Sequence, residues 1–361
     1  MSAYRQRTLL ADGRELIYYD DVPGTDRSAP DTRDLPATAS TSQIRWDPLF
    51  AEWAVVAGHR QSRTYKPPTD ECPLDPSRPG RPTEIPAPDY DVVVFENRFP
   101  SLSVGAAEAV AVVDDGPFRT RPGVGRCEVV CFTSDHNTAF AQLPPKRVRT
   151  VFDAWVDRTL ELSAIDGVEY VFCFENRGEE IGVTLSHPHG QIYAYPFVPP
   201  RLAVAARTAA AYEAEHGGCL QCSLLEQERA DGQRVVLESE HFLAYVPFAA
   251  RWPYEVTVAP KRHVPDLPGL DEAELDDLAS VYLQVLQRFD GLFETPAPYI
   301  ASWQQAPVHT DRDSWHLSAS VFTIRRASGK LKYLAGSESG AAVWINDVLP
   351  EAAAQRLREV G

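Results

Sequence analysis

The stretch Ser186-His187-Pro188-His189-Gly190-Gln191 decides how the rest of the chain is interpreted. In an extended segment, alternate side chains point to the same side, so His187 and His189 are expected to share one face. Pro188 restricts φ and lacks an N–H donor, which stiffens the pair. Gly190 has no side chain, and we expect it to let a phosphate-bearing ligand approach the backbone closely. The stretch therefore predicts two rigidly held imidazoles beside a ligand cleft.

Imidazole is a competent nucleophile toward phosphorus, because its neutral form is populated near neutral pH. Attack by His189 would form a phosphoramidate that can pass a nucleotidyl group onward, which splits one difficult displacement into two easier steps. The amide of Gln191 can stabilise charge on the non-bridging oxygens during transfer. The predicted catalytic residues are therefore His189 as nucleophile and Gln191 as stabiliser, with His187 serving a metal shell beside them.

A series of features around this stretch recurs later in the chain in the same order. Each series has a Cys-x-x-Cys or Cys-x-x-Asp segment, a first histidine, a leucine seven residues later, a helix and a second histidine. The members are Cys72, Asp75, His136, Leu143 and His187 in the first series, and Cys219, Cys222, His263, Leu270 and His316 in the second. The two histidines are 51 residues apart in the first series and 53 in the second. This agreement predicts two copies of one supersecondary unit.

The helix of each series has apolar residues on one face at 3.6-residue spacing. The stripes are Val148, Val151, Phe152, Trp155 and Val156 in the first helix, and Leu275, Leu278, Tyr282, Val285 and Phe289 in the second. We predict an α+β fold in which each half has an antiparallel sheet and one long amphipathic helix. The predicted boundaries are an irregular segment over residues 1–44, a first half over 45–215 and a second half over 216–361. Ser318 and Ser320 match His189 and Gln191, so only the first half can carry the nucleophile, and the second is expected to supply scaffold and part of the substrate pocket.

The cysteine spacing suggests metal binding, because two thiolates separated by two residues can bind one tetrahedral Zn²⁺. The candidate ligand sets are Cys219, Cys222, His263 and His316 in the second half, and Cys72, Asp75, His136 and His187 in the first. For the second half, a redox-active or structural thiol pair is the alternative interpretation. In the first half Asp75 replaces a cysteine, so that set either holds metal as a mixed shell or has lost it. We predict one or two structural zinc sites.

Composition excludes several classes of protein. A net charge of −16 over 361 residues disfavours a nucleic-acid binder, so an anionic substrate must be held by a few local Arg and Lys side chains. The sequence has no apolar run near the roughly 20 residues that span a bilayer, and its N-terminus lacks the apolar region of a signal peptide. We therefore expect a soluble, cytoplasmic protein with reduced cysteines and no membrane partner.

From about Arg45 to its C-terminus, the sequence resembles the galactose-1-phosphate uridylyltransferases, duplicated members of the histidine-triad superfamily. The matching segments are Trp46 to Pro48, His59 to Arg63, Phe95 to Asn97, Phe174 to Asn176, Ser186 to Gln191, Trp252 to Glu255 and Lys332 to Glu338. The resemblance implies two fused histidine-triad-type repeats. It also implies ping-pong transfer of UMP from UDP-glucose to galactose-1-phosphate through a covalent uridylyl-histidine at His189, with UDP-galactose as product.

The resemblance further implies which residues contact substrate. Arg60 and Arg63 would contact phosphate and nucleotide, a task that the forked guanidinium geometry suits. The other implied contacts are Asn97 and Asn176 to uridine or phosphate, Gly182 and Thr184 to the α-phosphate, and Lys332 and Glu338 to the hexose phosphate. Because the last two would act from the partner subunit, the resemblance implies a homodimer with shared active sites.

The sequence departs from the family pattern at the metal sites. Asp75 stands where the first site often has a second cysteine. An iron-type site of some members has its equivalents here at Ala205, Gln304, Ser318 and Ser320, so no iron site is predicted. Two other functions stay open: a dinucleoside-polyphosphate phosphorylase or related nucleotidyltransferase acting on another sugar phosphate or nucleotide, and an inactive nucleotide-sugar binding protein.

Overall fold

One long antiparallel sheet passes through both halves of the chain. The computed structural model describes residues 3–36, 40–62, 67–108 and 110–361. The strands in these ranges are β1 (Tyr4–Leu9), β2 (Glu15–Asp20), β3 (Gln43–Asp47), β4 (Glu52–Val56), β5 (Val92–Glu96), β6 (Thr120–Pro122), β7 (Arg126–Cys131), β8 (Tyr170–Arg177), β9 (His189–Tyr195), β10 (Val235–Glu238), β11 (Phe242–Tyr245), β12 (Tyr254–Pro260), β13 (Tyr299–Gln304), β14 (Ser318–Thr323), β15 (Arg325–Ala327) and β16 (Lys330–Leu331). The helices are α1 (Pro145–Ser163), α2 (Pro200–His216), α3 (Leu220–Asp231), α4 (Glu272–Gly291), α5 (Gly336–Ala341) and α6 (Pro350–Glu359).

The strand order of the long sheet reveals the internal repeat. Its eleven described strands run β1-β2-β5-β7-β9-β8-β13-β14-β12-β11-β10, so the order mirrors itself about the β8–β13 boundary. There β8 pairs with β13 in antiparallel register, with Glu175 opposite Ala301. The two half-sheets therefore join edge to edge through equivalent strands, which covers one edge of each. The prediction of an α+β fold with an antiparallel sheet in each half is confirmed. The joining of the two half-sheets into one continuous sheet was not predicted.

The two long helices lie side by side on one face of this sheet. Helix α1 begins with Pro145 at its first position, where a missing N–H costs nothing. Helix α4 begins with a capping box between Asp271 and Glu274. Both predicted apolar stripes face the sheet. Between the helices, the ring centres of Phe152 and Tyr282 lie 5.7 Å apart. The main core thus lies between the helix pair and the sheet, and the opposite face stays available for ligands.

The prediction that residues 1–44 are irregular is wrong for residues 4–20, although the described residues between 21 and 42 lie outside helices and strands. Strands β1 and β2 form a hairpin that turns at Gly13, whose φ is +84°, and β2 pairs with β5 to extend the sheet. The run Leu16 to Tyr19 is buried on both faces. A strand buried on both faces lacks the alternation of polar and apolar residues, and four residues are too few to reveal any other period.

Candidate functional site

A cavity of about 380 Å³ opens on the sheet face away from the long helices. Strands β8 and β9 form its floor: Phe174 pairs with Gln191 in register, and both line the cavity. The residues predicted from the sequence that line it are Arg60, Asn97, Asn176, Gly182, Thr184, His189 and Gln191. Predicted Arg63 lies outside the described residues. The fold therefore brings segments separated by more than a hundred residues onto one concave surface.

His189 is the first residue of β9 and half-buried at the cavity wall. Its Nδ1 lies 2.7 Å from the carbonyl oxygen of His187, so Nδ1–H donates to that oxygen. This hydrogen bond fixes the tautomer in which Nε2 carries the lone pair. Burial lowers the pKa of the His189 imidazole. The ring is therefore held neutral and oriented, as a nitrogen nucleophile requires.

Gln191 lies two residues further along β9, on the same side as His189. The Tyr193 hydroxyl donates to Gln191 Oε1 over 3.2 Å. With its oxygen occupied, the amide presents its NH₂ group, which carries two donors. Tyr193 also lines the cavity and was missed by the sequence reasoning. The strand period of two from His189 would have pointed to it.

Gly190 is required by packing, and its predicted role in ligand approach is wrong. A Cβ at this position would lie 2.8 Å from Cζ of Phe132 and 3.0 Å from the carbonyl oxygen of Phe174. Both contacts lie within the protein, and Phe132 is fully buried. The close approach that Gly190 permits is therefore between the strand and a core ring.

Two arginines give the cavity a local positive charge in an acidic protein. Arg60 donates to the Ser101 hydroxyl, and its guanidinium lines the cavity. Arg98 also lines the cavity, with its guanidinium 5.9 Å from the centre of the Phe99 ring. Within the described residues, no ion pair involves Arg98. The sequence reasoning missed Arg98, because nothing in its spacing distinguishes it from a surface arginine.

The one acidic residue among those lining the cavity is already neutralised. Glu84 is paired with Arg14 at 2.6 Å and with Arg33 at 2.9 Å. Its charge therefore offsets little of the field that Arg60 and Arg98 create. The cavity can attract phosphate although the chain as a whole is strongly negative.

The first predicted ligand set converges beneath His189. Asp75 Oδ1 lies 2.8 Å from Nδ1 of His136 and 3.1 Å from Nδ1 of His187, and the Cys72 sulfur completes a group within 4.8 Å. Nε2 of His187 lies 2.8 Å from the carbonyl oxygen of Thr133. That hydrogen bond leaves Nδ1 as the free ligand atom.

The second predicted set repeats this arrangement with sulfur in place of oxygen. Cys222 Sγ lies 3.5 Å from Nδ1 of His263 and 3.2 Å from Nδ1 of His316, and Cys219 completes the group. Nε2 of His316 lies 2.9 Å from the carbonyl oxygen of Pro260, as His187 does from Thr133. Both cysteines lie at the start of α3, where Cys219 is the N-cap.

Both groups suit a tetrahedral metal ion. Bonds of about 2.0–2.3 Å to nitrogen, oxygen and sulfur place ligand atoms roughly 3.3–3.7 Å apart. The separations of 3.2 and 3.5 Å in the second cluster are close to this range, whereas those of 2.8 and 3.1 Å in the first are the lengths of direct hydrogen bonds and would widen around an ion. Each buried histidine also donates its other ring N–H to a backbone carbonyl, as metal-bound histidines do. Two sites that could hold a metal ion are thus present, one beside the cavity and one in the second half.

Lys332 and Glu338 do not line the cavity. Lys332 Nζ donates to Glu338 Oε1 over 2.8 Å, and this bond holds the pKa of Glu338 at about 2. Gln304 and Ser318, two of the equivalents of an iron-type site, are hydrogen-bonded to each other at 3.3 Å. Within a single chain, Lys332 is therefore paired with Glu338, and Ser318 with Gln304.

Comparison with known proteins gives matches over nearly the whole chain. Family models of the galactose-1-phosphate uridyl transferase N-terminal and C-terminal domains match residues 32–199 and 205–361. A galactose-1-phosphate uridylyltransferase of Streptomyces lividans is 51% identical over 98% of this chain and 97% of its own length. One from Thermotoga maritima is 42% identical over 88% and 98%.

A solved structure supports the same relationship. A structure described as uridylyltransferase superposes with a TM-score of 0.79 at 32% sequence identity, covering 88% of this chain and 98% of the other.

In the ranges that the structure describes, every helix is too short or too polar to cross a bilayer.

Proposed function

The chain belongs to the galactose-1-phosphate uridyl transferase family, and we propose that it moves a uridylyl group from UDP-glucose to galactose-1-phosphate. The observation that carries this proposal is the His189 ring, oriented by its Nδ1 hydrogen bond at the wall of a cavity with local positive charge. The homologues from Streptomyces lividans and Thermotoga maritima are named for this activity.

In the first step, Nε2 of His189 attacks the α-phosphorus of UDP-glucose. A P–N bond forms, the bond from the α-phosphorus to the bridging oxygen breaks, and glucose-1-phosphate leaves with that electron pair. In the second step a phosphate oxygen of galactose-1-phosphate attacks the same phosphorus, and the P–N bond breaks to regenerate the imidazole. The hydrogen bond from Nδ1 to the His187 carbonyl stabilises the positive charge that develops on the ring.

Five side chains around His189 would hold the anionic substrate. The amide NH₂ of Gln191, oriented by Tyr193, would donate to a non-bridging oxygen of the α-phosphate. The guanidinium groups of Arg60 and Arg98, the arginines that line the cavity in the described part of the chain, would neutralise phosphate charge. Asn97 and Asn176, which line the same cavity, would contact uridine or phosphate.

We propose that Zn²⁺ is the metal of both clusters. Zinc would supply a structural cross-link and no redox chemistry. In the first half His187 would be a ligand through Nδ1, while its backbone carbonyl accepts from His189. That cluster would therefore fix the peptide group that orients the nucleophile. In the second half the cluster would tie the start of α3 to the segment before β14.

We also propose a homodimer in which Lys332 and Glu338 reach the active site of the partner subunit. Large apolar side chains are heavily exposed in this chain, including Phe50 at 70%, Phe118 at 82% and Tyr333 at 70%. A second subunit would cover such surface. Tyr333 directly follows Lys332, which supports a contact between this segment and the partner.

The covalent step can be tested with UDP-glucose that carries ³²P at the α-position. The protein should acquire an acid-labile, base-stable label, and galactose-1-phosphate should release it as labelled UDP-galactose. Label that forms but is released only by a different acceptor would support a related nucleotidyltransferase. Binding of UDP-glucose without any label would support the inactive binding protein, and either result would overturn the proposed function.

A further inference from the structure

Arg325 of the second half connects to a first-half loop beside the cavity. Its Nη2 donates to Glu180 Oε1 over 2.6 Å, while Nη1 donates to the carbonyl oxygens of Thr295 and Pro296 and to the Thr295 hydroxyl at 2.8–3.1 Å. Its guanidinium carbon lies 5.7 Å from the centre of the Phe293 ring. Arg325 is 9% exposed. Nη1 of Arg325 thus binds acceptors within its own half, while Nη2 binds a carboxylate of the other half.

The loop that receives this contact contains one short turn and few backbone hydrogen bonds of its own. A single 3-10 turn, Glu179–Ile181, lies between Gly178 with φ +106° and Gly182 with φ +86°. Both glycines adopt backbone conformations that L side chains rarely take. The turn's own backbone hydrogen bonds are one of 2.9 Å from the Gly182 N–H and two of 3.4 Å from the Ile181 and Val183 N–H groups. The position of the loop therefore depends on what holds it from outside.

A second contact to the same part of the second half lies at the start of this loop. A Cβ on Gly178 would be 2.7 Å from Cβ of Pro298, so the loop backbone lies directly against that proline. Beyond Gly182 the chain continues through Val183, Thr184 and Leu185, all of which line the cavity. The segment 293–298 and Arg325 thus lie behind a loop whose far end faces the nucleotide site.

We infer that Arg325 is a positioning residue, which holds the loop 178–185 through Glu180 so that Gly182 and Thr184 face the phosphate of the bound nucleotide. The inference rests on the proposed function for its kinetic consequence. It gives the second half a specific task in the first half's chemistry, in addition to covering a sheet edge.

The geometry requires arginine at this position. A guanidinium has five donors in a rigid plane, so it can satisfy the acceptors of Thr295 and Pro296 and still reach Glu180. A lysine ammonium in the same place would reach the backbone acceptors or the carboxylate, but would not span both. Arg325→Lys should therefore keep the charge and the packing while it releases the loop.

The ion pair contributes little to global stability, which makes the inference testable. The Glu180 side chain is 34% exposed, and partly solvated ion pairs contribute modestly to folding. Glu180→Gln should therefore leave the unfolding midpoint close to that of wild type. Arg326 offers a matched control, since it neighbours Arg325 and pairs with Asp347 on the surface at 2.7 Å.

The experiment compares wild type, Glu180→Gln, Arg325→Lys, their double variant and Arg326→Lys. Single-turnover labelling of His189 by α-³²P UDP-glucose should slow by about 10- to 100-fold in both single variants, because small displacements of positioning groups are costly. The double variant should lose no more than either single variant, since all three break one contact. Arg326→Lys should label at the wild-type rate.

Hydrogen exchange followed by mass spectrometry provides a readout that needs no activity. Amides of residues 178–185 should exchange faster in Glu180→Gln and Arg325→Lys than in wild type, with exchange elsewhere unchanged. Wild-type labelling and exchange in both variants would overturn the inference. If Arg325→Lys does not fold, Glu180→Gln decides the question alone. If wild type does not label, the proposed function fails, and the exchange comparison still determines whether Arg325 holds the loop.

Discussion

The two halves share one scaffold but differ in the residues that face the ligand side of the sheet. His187 and His316 are oriented alike, each with Nδ1 toward a ligand partner and Nε2 toward a backbone carbonyl, although the Tyr90 hydroxyl also lies 2.7 Å from Nε2 of His187. Two residues later, the first half has His189 and the second has the buried Ser318. The difference shows that the supersecondary unit supplies a position for the nucleophile, while the chemistry depends on one side chain at that position.

The strand register extends this comparison to other positions. The matching residues Gln191 and Ser320 pair with Phe174 and Ser302, which are therefore matching positions as well. The residues that follow them, Glu175 and Trp303, then correspond to each other. Both are buried, but one is a carboxylic acid and the other an indole. The active half therefore contains a polar group where the other half has an ordinary core residue.

The largest effect should come from the position that distinguishes the halves most. His189→Gly should abolish the covalent label and lower uridylyl transfer by at least about 1,000-fold, because it removes the nucleophile. Ser318→Ala, at the matching position, should retain the label and near-wild-type turnover. Persistent labelling of His189→Gly would contradict the assignment of the nucleophile.

Loss of the second-half metal cluster, which lies away from the cavity, should lower the free energy of unfolding strongly and the turnover rate only slightly. Cys222→Ser should lose about one zinc per chain by elemental analysis and several kcal/mol of unfolding free energy, because a structural metal contributes directly to folding. Asp75→Cys, which copies the second cluster into the first half, should keep its metal. An unchanged metal content in Cys222→Ser would remove zinc from the second half.

The buried carboxyl of Glu175 should make stability depend on pH. Burial raises its pKa to about 8, so the folded chain holds a proton that the unfolded chain releases near its ordinary value of 4.5. The free energy of unfolding should therefore fall as pH rises from about 4.5 to about 8, by up to a few kcal/mol from this group. Urea unfolding of Glu175→Gln should show a gain over wild type that is larger at pH 8 than at pH 5. An equal difference at both pH values would show that the carboxyl is already ionised in the fold.

The smallest of these effects concerns Arg98, which lies two residues beyond the end of β5 and lines the cavity. Arg98→Ala should raise the KM for UDP-glucose by at least about tenfold, since a charge-assisted hydrogen bond contributes roughly 1.5–3 kcal/mol. Arg229→Ala, a control at an exposed ion pair in the second half, should leave KM unchanged. If both variants have the wild-type KM, Arg98 does not contact the substrate.

Much of the fold could be predicted from sequence because it rests on local patterns. The stripes of α1 and α4 follow the 3.6-residue period, and the order of cysteines and histidines revealed the duplication. The hairpin β1–β2 escaped this reasoning, because a short strand buried on both faces has no alternation to detect. Gly190 was misinterpreted for a related reason: a glycine needed for core packing resembles one needed for ligand approach.

The sequence by itself determined the residue types that can do chemistry: an imidazole after proline, two sets of cysteine, aspartate and histidine ligands, and a duplicated unit to carry them. Only the tertiary structure decided which side chains meet. It placed Arg98 and Tyr193 beside His189, buried Glu175 beneath the cavity, and brought Arg325 from the second half to a loop of the first. These pairings join residues up to 145 positions apart, as Arg325 and Glu180 are. They depend on how the strands order and cross over in the sheet, which no local period of the sequence specifies.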